Sequence, residues 1–279
     1  MLKREDIRIR DPFVLADKES NTYYVYGTTE LKDGLNAGNK FSVYVSKDLE
    51  NFEGPFTVFD GNENGFWGTK DFWAAEVHKY NGKYYLFGSF KAENHVRASQ
   101  ILVSDSPLGK FIPISKNPQT VDGWECLDGT LYVEDGEPYL VFCHEWTQCG
   151  IGEIWAVKLT KDLKEKDGEP FMLFKASDNK EVTSFDAQKT KMVTDGPFLF
   201  NEDGKVKMIW SSSAHGRYLV LEAVADSLKG EWKHLSSRFD FDGGHAMIFT
   251  AFDGKKYFSL HAPNVPPKER MKFVEYKER

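Results

Sequence analysis

Cysteine is scarce in this 279-residue chain, occurring only as Cys126, Cys143 and Cys149. An odd number at irregular spacing is not a disulfide framework, so buried free thiols are expected. No Cys/His pair has the spacing of a zinc site. No run of 18 apolar residues is present, which excludes a membrane-spanning helix. Basic residues are outnumbered, with 36 Lys and Arg against 43 Asp and Glu and a formal net charge of −7. Phosphate backbones and anionic membrane surfaces need cations, so neither nucleic acid nor membrane is an expected partner. The opening residues, Met1 to Asp6, lack the apolar core of a leader. The chain therefore reads as cytoplasmic, or as secreted if a leader has been removed. Long amphipathic helices and low-complexity stretches are also missing.

Aromatic residues are abundant at 15%, within a hydrophobic total of 41%. Sheets accommodate such side chains well. Five segments resemble one another, each a polar residue, a short apolar strand, a turn and an aromatic strand. They begin at Asp11, Glu76, Asp128, Asp195 and His245. Asn81-Gly82, Asp135-Gly136, Asp203-Gly204 and Asp253-Gly254 suit two-residue type I′ hairpin loops, which need φ > 0 at both positions. Most of these hairpins are followed by another strand, for example around Phe41, Gln100, Ile154 and Leu219. A repeat of roughly 50–65 residues built from hairpins matches propeller blades better than a solenoid. The expectation is an all-β, five-bladed β-propeller occupying residues 1–279 as one domain, with Met271–Tyr276 completing the last blade or pairing with the first.

In a propeller the first strand of each blade lines the central channel, so the five marker residues converge. Four are carboxylates and one is an imidazole. Crowded carboxylates push one another's pKa values apart, which supplies an acid and a base at one pH.

The motifs around these markers, in order, are Arg10-Asp11-Pro12-Phe13, Trp73-Ala74-Ala75-Glu76-Val77, Leu127-Asp128 with Leu131-Tyr132, Asp195-Gly196-Pro197-Phe198 and Gly243-Gly244-His245. Together they resemble glycoside hydrolase family 43. The resemblance implies an inverting glycosidase in which Asp11 is the general base, Asp128 holds the acid in place and raises its pKa, and Asp195 is the general acid. It implies that His245 helps fix a channel calcium through water; no cofactor is obligatory. The family normally carries Glu where this chain has Asp195, whose carboxyl sits further back. Glu181 and Asp186 are the alternative acids.

The expected substrate is a plant-type oligosaccharide, from which terminal pentose is released. α-L-Arabinofuranosidase comes first, β-xylosidase second and endo-arabinanase third, with a non-catalytic sugar-binding propeller as the competing class. Candidate substrate-binding residues are Trp73, Glu76, Trp146, Arg217 and His245, with Phe72 as a further platform. The bland alternatives are core packing for the aromatics, a structural ion pair for Glu76 and a solvated loop for Arg217. The sequence does not specify an oligomeric state.

Overall fold

The computed structural model describes residues 1–32, 34, 36–63 and 65–278. They form five antiparallel sheets arranged as a five-bladed β-propeller. The innermost strands are Arg10–Asp17, Lys70–Tyr80, Cys126–Glu134, Asp195–Glu202 and Gly244–Thr250. Each leads outward through consecutive neighbours, as in Lys70–Tyr80, Lys83–Ala92, His95–Ser104 and Ile112–Pro113. Among the described residues no helix is long and apolar enough to cross a membrane.

Turn chemistry sets the hairpins. Asn81 and Gly82, Asp135 and Gly136, and Asp203 and Gly204 all take positive φ, as type I′ turns require. Asp253-Gly254 departs from that expectation. The ladder ends at Thr250 opposite Lys256, and Gly254 donates its N–H to the Ala251 carbonyl, so a longer loop closes this hairpin. Met271–Tyr276 meets the first of its two alternatives, because Arg270–Glu275 pairs with Lys256–Ala262 inside the last blade.

Apolar side chains fill the gaps between blades. Tyr26, Phe41, Phe72, Leu86 and Phe90 join the first blade to the second, while Val141, Ile154, Met208, Trp210 and Leu221 join the third to the fourth. Ring closure rests on Ile7, Ile9, Phe13, Met247 and Met271 and on Glu269. Its fully buried carboxylate accepts from Arg8 and Arg10 at 3.2 and 3.3 Å.

One irregularity recurs near the start of all five inner strands and positions the site. The pairing register slips between Arg10 and Phe13, Trp73 and Glu76, Leu127 and Thr130, Asp195 and Phe198, and Gly244 and Met247. These are β-bulges, which bend a strand and re-aim a side chain. Asp11, Ala74, Asp128, Gly196 and His245, the residues at this point, have φ of 55, 49, 54, 51 and 53°. For the non-glycine members this left-handed conformation costs on the order of 1–3 kcal/mol each, and neighbours must hold it.

The second strand of the preceding blade supplies an acceptor to the bulge N–H. Ala74 donates to Thr28 Oγ1 at 3.0 Å, Asp128 to Ser89 Oγ at 2.8 Å, His245 to Ser211 Oγ at 2.7 Å and Asp11 to His261 Nδ1 at 3.2 Å. The matching ladder position in the third blade is Cys143, opposite Leu127. A thiol is a poor acceptor. There the Gly196 N–H donates instead to Asp128 Oδ2, at 3.0 Å.

Candidate active site

The bulges turn Asp11, Asp128 and His245 into one cavity of about 380 Å³. Its walls also carry Arg10, Thr28, Trp73, Glu145, Trp146, Asp195, Tyr218 and Asn264. Asp195 stands one residue before the bulge, on the ladder step of Arg10, Trp73 and Leu127. Gly196 occupies the bulge itself, where a Cβ would lie 2.7 Å from the His245 ring. Glu76 stands two residues beyond the second-blade bulge at Ala74. The five sequence markers are thus not five equivalent positions. Three are, and the markers of the second and fourth blades are offset by the residue or two that a bulge absorbs.

Asp11 is buried among polar groups. Thr28 Oγ1 donates to its Oδ2 at 2.8 Å. His245 Nδ1 lies 3.2 Å and His261 Nδ1 3.3 Å from Oδ1. Burial alone would raise this carboxyl, but His245 and the Arg10 cation outweigh it and hold it well below the ordinary range. Asp128 has less help. Its Oδ2 accepts from Gly196 and lies 3.9 Å from His245 Nδ1. Burial, and then the Asp11 charge, push Asp128 well above the ordinary carboxylate value. Asp195 faces the cavity with one side-chain donor, Tyr218 Oη, 3.1 Å from Oδ2. Withdrawal from water, followed by the Asp128 carboxyl, pushes it up to about 7. The three carboxyls therefore divide into one held charged and two that oppose each other's ionisation.

The remaining expected residues separate by location. Trp73 and Trp146 both line the cavity. Behind Trp73, the Arg97 guanidinium lies 3.6 Å from the ring centre. Trp146 opens a one-turn helix, Trp146–Cys149, and packs edge-on against Phe185 at 4.7 Å. Phe72 is instead buried in the aromatic core against Phe41, Phe59 and Phe90. Glu76 is buried in the channel, 3.0 Å from His78 Nε2, and is not among the cavity's walls. Arg217 is not among them either. Its neighbour Tyr218 is, because successive strand residues face opposite sides. Glu181 binds the Ser237 N–H and His215, and Asp186 caps its own loop through Thr190 and Lys191. Neither lines the cavity.

Sequence reasoning missed Tyr218, His261, Thr28 and Glu145. The readable signal was the recurring hydroxyl or imidazole at positions 28, 89, 211 and 261, one on each second strand except the third.

For a calcium ion the relevant atom is His245 Nε2, buried and without a hydrogen-bond partner in the protein. The carboxyl oxygens of Asp11 and Asp128 lie on the Nδ1 side of the ring, so a hard cation at Nε2 would take its oxygen ligands from water. A second group of ligand atoms, from His144, Cys149 and Glu153, lies within 4.8 Å. Its Glu153 carboxylate is already bound by Lys175, Trp155 and His144, and burial pushes the Cys149 thiol up to about 11.

Over residues 6–275 the sequence matches the family described as Glycosyl hydrolases family 43. The chain belongs to this family. It is a glycoside hydrolase. Among solved structures, this family 43 chain is similar to the endo-arabinase from Bacteroides thetaiotaomicron VPI-5482, with a TM-score of 0.91 and 39% identity covering 100% of this chain and 98% of that one. It is also similar to a thermostable family-43 glycoside hydrolase, with a TM-score of 0.81 and 25% identity over 99% and 94% of the two chains. Among curated proteins, a xylosidase/arabinosidase of Bacteroides ovatus is 24% identical over 273 residues, which is 85% of this chain and 81% of the relative.

Proposed function

We propose that this family 43 enzyme hydrolyses arabinofuranosyl linkages of arabinan-type oligosaccharides by a single inverting displacement. The observation that carries the chemistry is the opposite treatment of Asp11 and Asp195 within one cavity. Inversion needs one carboxylate to activate water and one carboxylic acid to protonate the leaving oxygen. Asp11, held charged, takes a proton from the attacking water. Asp195, protonated below about pH 7, gives its proton to the glycosidic oxygen as the bond from the anomeric carbon breaks. Asp128 is bound to the backbone that carries Asp195 and opposes its ionisation. Trp73 and Trp146 present apolar faces to the sugar rings.

The arabinan preference draws support from the likeness to the endo-arabinase, at higher identity and fuller coverage than the other relatives named above. Against the order expected from sequence, this moves the arabinanase reading ahead of the exo-acting arabinofuranosidase. The likeness to a xylosidase/arabinosidase keeps β-xylosidase as the second reading. Calcium held near His245 would add positive charge beside Asp11 and Asp128; no proton transfer above depends on it.

The test is digestion of linear arabinan, arabino-oligosaccharides and xylo-oligosaccharides, with the first product's anomer read by proton NMR. Cleavage of arabinan chains with inverted anomeric configuration is expected. Retained configuration would overturn the displacement, and cleavage of xylo-oligosaccharides alone would replace arabinose by xylose.

A further inference from the structure

Tyr218 is held more tightly than a residue that merely fills space. Its ring stacks on His261 with centroids 5.7 Å apart and planes at 19°. The Gly244 backbone also packs closely on it, where a Cβ would come within 2.5 Å of the ring. Its N–H donates to Asp242 Oδ1 at 3.0 Å, and Asp242 Oδ2 accepts from the Asn264 N–H at 2.7 Å. Asn264 Oδ1 in turn meets His261 Nε2 at 3.2 Å and Arg10 at 2.7 Å. Strand pairing, these two packing contacts and this network hold the ring, and its hydroxyl points at Asp195 Oδ2.

We infer that Tyr218 is a positioning residue for the leaving-group proton: its hydroxyl occupies Oδ2 of Asp195, so that Oδ1 carries the proton and faces the scissile linkage. The inference rests on the function proposed above. In the acid form, Oδ2 accepts from the phenol as a carbonyl oxygen. During cleavage the Oδ1 proton passes to the glycosidic oxygen, the electron pair of the breaking bond leaves with that oxygen, and Asp195 becomes a carboxylate. The phenol keeps its own proton throughout. Its hydrogen bond strengthens as charge grows on the carboxylate, because bonds to ionised acceptors are the stronger ones. That is assistance given more to the transition state than to the ground state.

Such a role has a signature that loss of packing lacks. A leaving group that departs as a stable anion needs little protonation, whereas a sugar alkoxide needs it fully. Tyr218→Phe keeps the ring, its stacking and its backbone bond. On an arabino-oligosaccharide its kcat is expected to fall about 10- to 100-fold, a part of the about 10²–10⁴-fold that general acid catalysis supplies, with KM nearly unchanged. On a dinitrophenyl arabinofuranoside the loss should stay under about threefold. Equal losses on both substrates, or no loss on the oligosaccharide, would overturn the assignment. If Tyr218→Phe fails to fold, 3,5-difluorotyrosine placed at position 218 retains the shape and changes only the donor. Its kcat should then change on the oligosaccharide and not on the aryl glycoside, and unchanged kcat on both counts against the assignment. Wild-type protein inactive on every arabinoside and xyloside would instead sink the underlying function, and the role of Tyr218 with it.

Discussion

Asp11 and Asp195 share one cavity and one residue type, yet the protein drives them in opposite directions. Both lose water. The difference lies in what replaces it. Around Asp11 stand a hydroxyl, two imidazoles and the Arg10 cation. Around Asp195 stand a competing carboxyl, the shared influence of His245 and one phenol. Desolvation alone would raise both; the count and charge of the donors decide which one ionises. A propeller suits this division because each blade delivers its bulge to the axis with a different neighbour.

Breaking either side tests the comparison. The largest effect is expected from Asp11→Asn, which removes the base for every substrate. Its kcat should fall by up to about 10⁴-fold, equally on aryl glycosides and oligosaccharides. Asp195→Asn should match that loss only on oligosaccharides, and the two substrate series measured side by side separate the roles. His245→Ala comes next. His245 is the leading influence that lowers Asp11, so its removal raises the Asp11 pKa. Below the new value the base is protonated, and an acidic limb should move up into the measurable range of the kcat/KM profile. A profile identical to wild type in shape would show that His245 does not set the charge on Asp11. Thr28→Val should act least on catalysis and most on folding. It strips a donor from Asp11 and leaves the Ala74 N–H buried without an acceptor. A loss of about 1–3 kcal/mol is expected in urea denaturation.

What the sequence made legible follows from its period. Repeats of a polar residue before an apolar strand located Asp11, Asp128 and His245 at equivalent positions, and with them the propeller. The bulge hid the rest. An inserted residue changes which side chain faces inward, so Asp195 and Glu76 looked equivalent to Asp11 while Gly196 and Ala74 hold that place. The same one-step ambiguity put Arg217 forward instead of Tyr218. Phe72 next to Trp73 shows the limit from the other direction. Two adjacent aromatics on a strand point to opposite sides, and nothing in their order says which one meets the core. The acceptors at Thr28, Ser89, Ser211 and His261 serve residues far away in the chain, so no local motif announces them and only their recurrence on the second strands does.

The central claim is that the acid and the base differ by environment and not by residue type. The most direct measurement is the pH dependence of kcat/KM on an arabino-oligosaccharide, for wild type and for Asp195→Asn on an activated aryl arabinofuranoside. With Asp11 charged throughout and Asp195 raised to about 7, the wild-type profile should show a single descending limb near neutral pH, and the variant should lack it. Activity that holds level past pH 9, or a limb that survives in Asp195→Asn, would contradict the account.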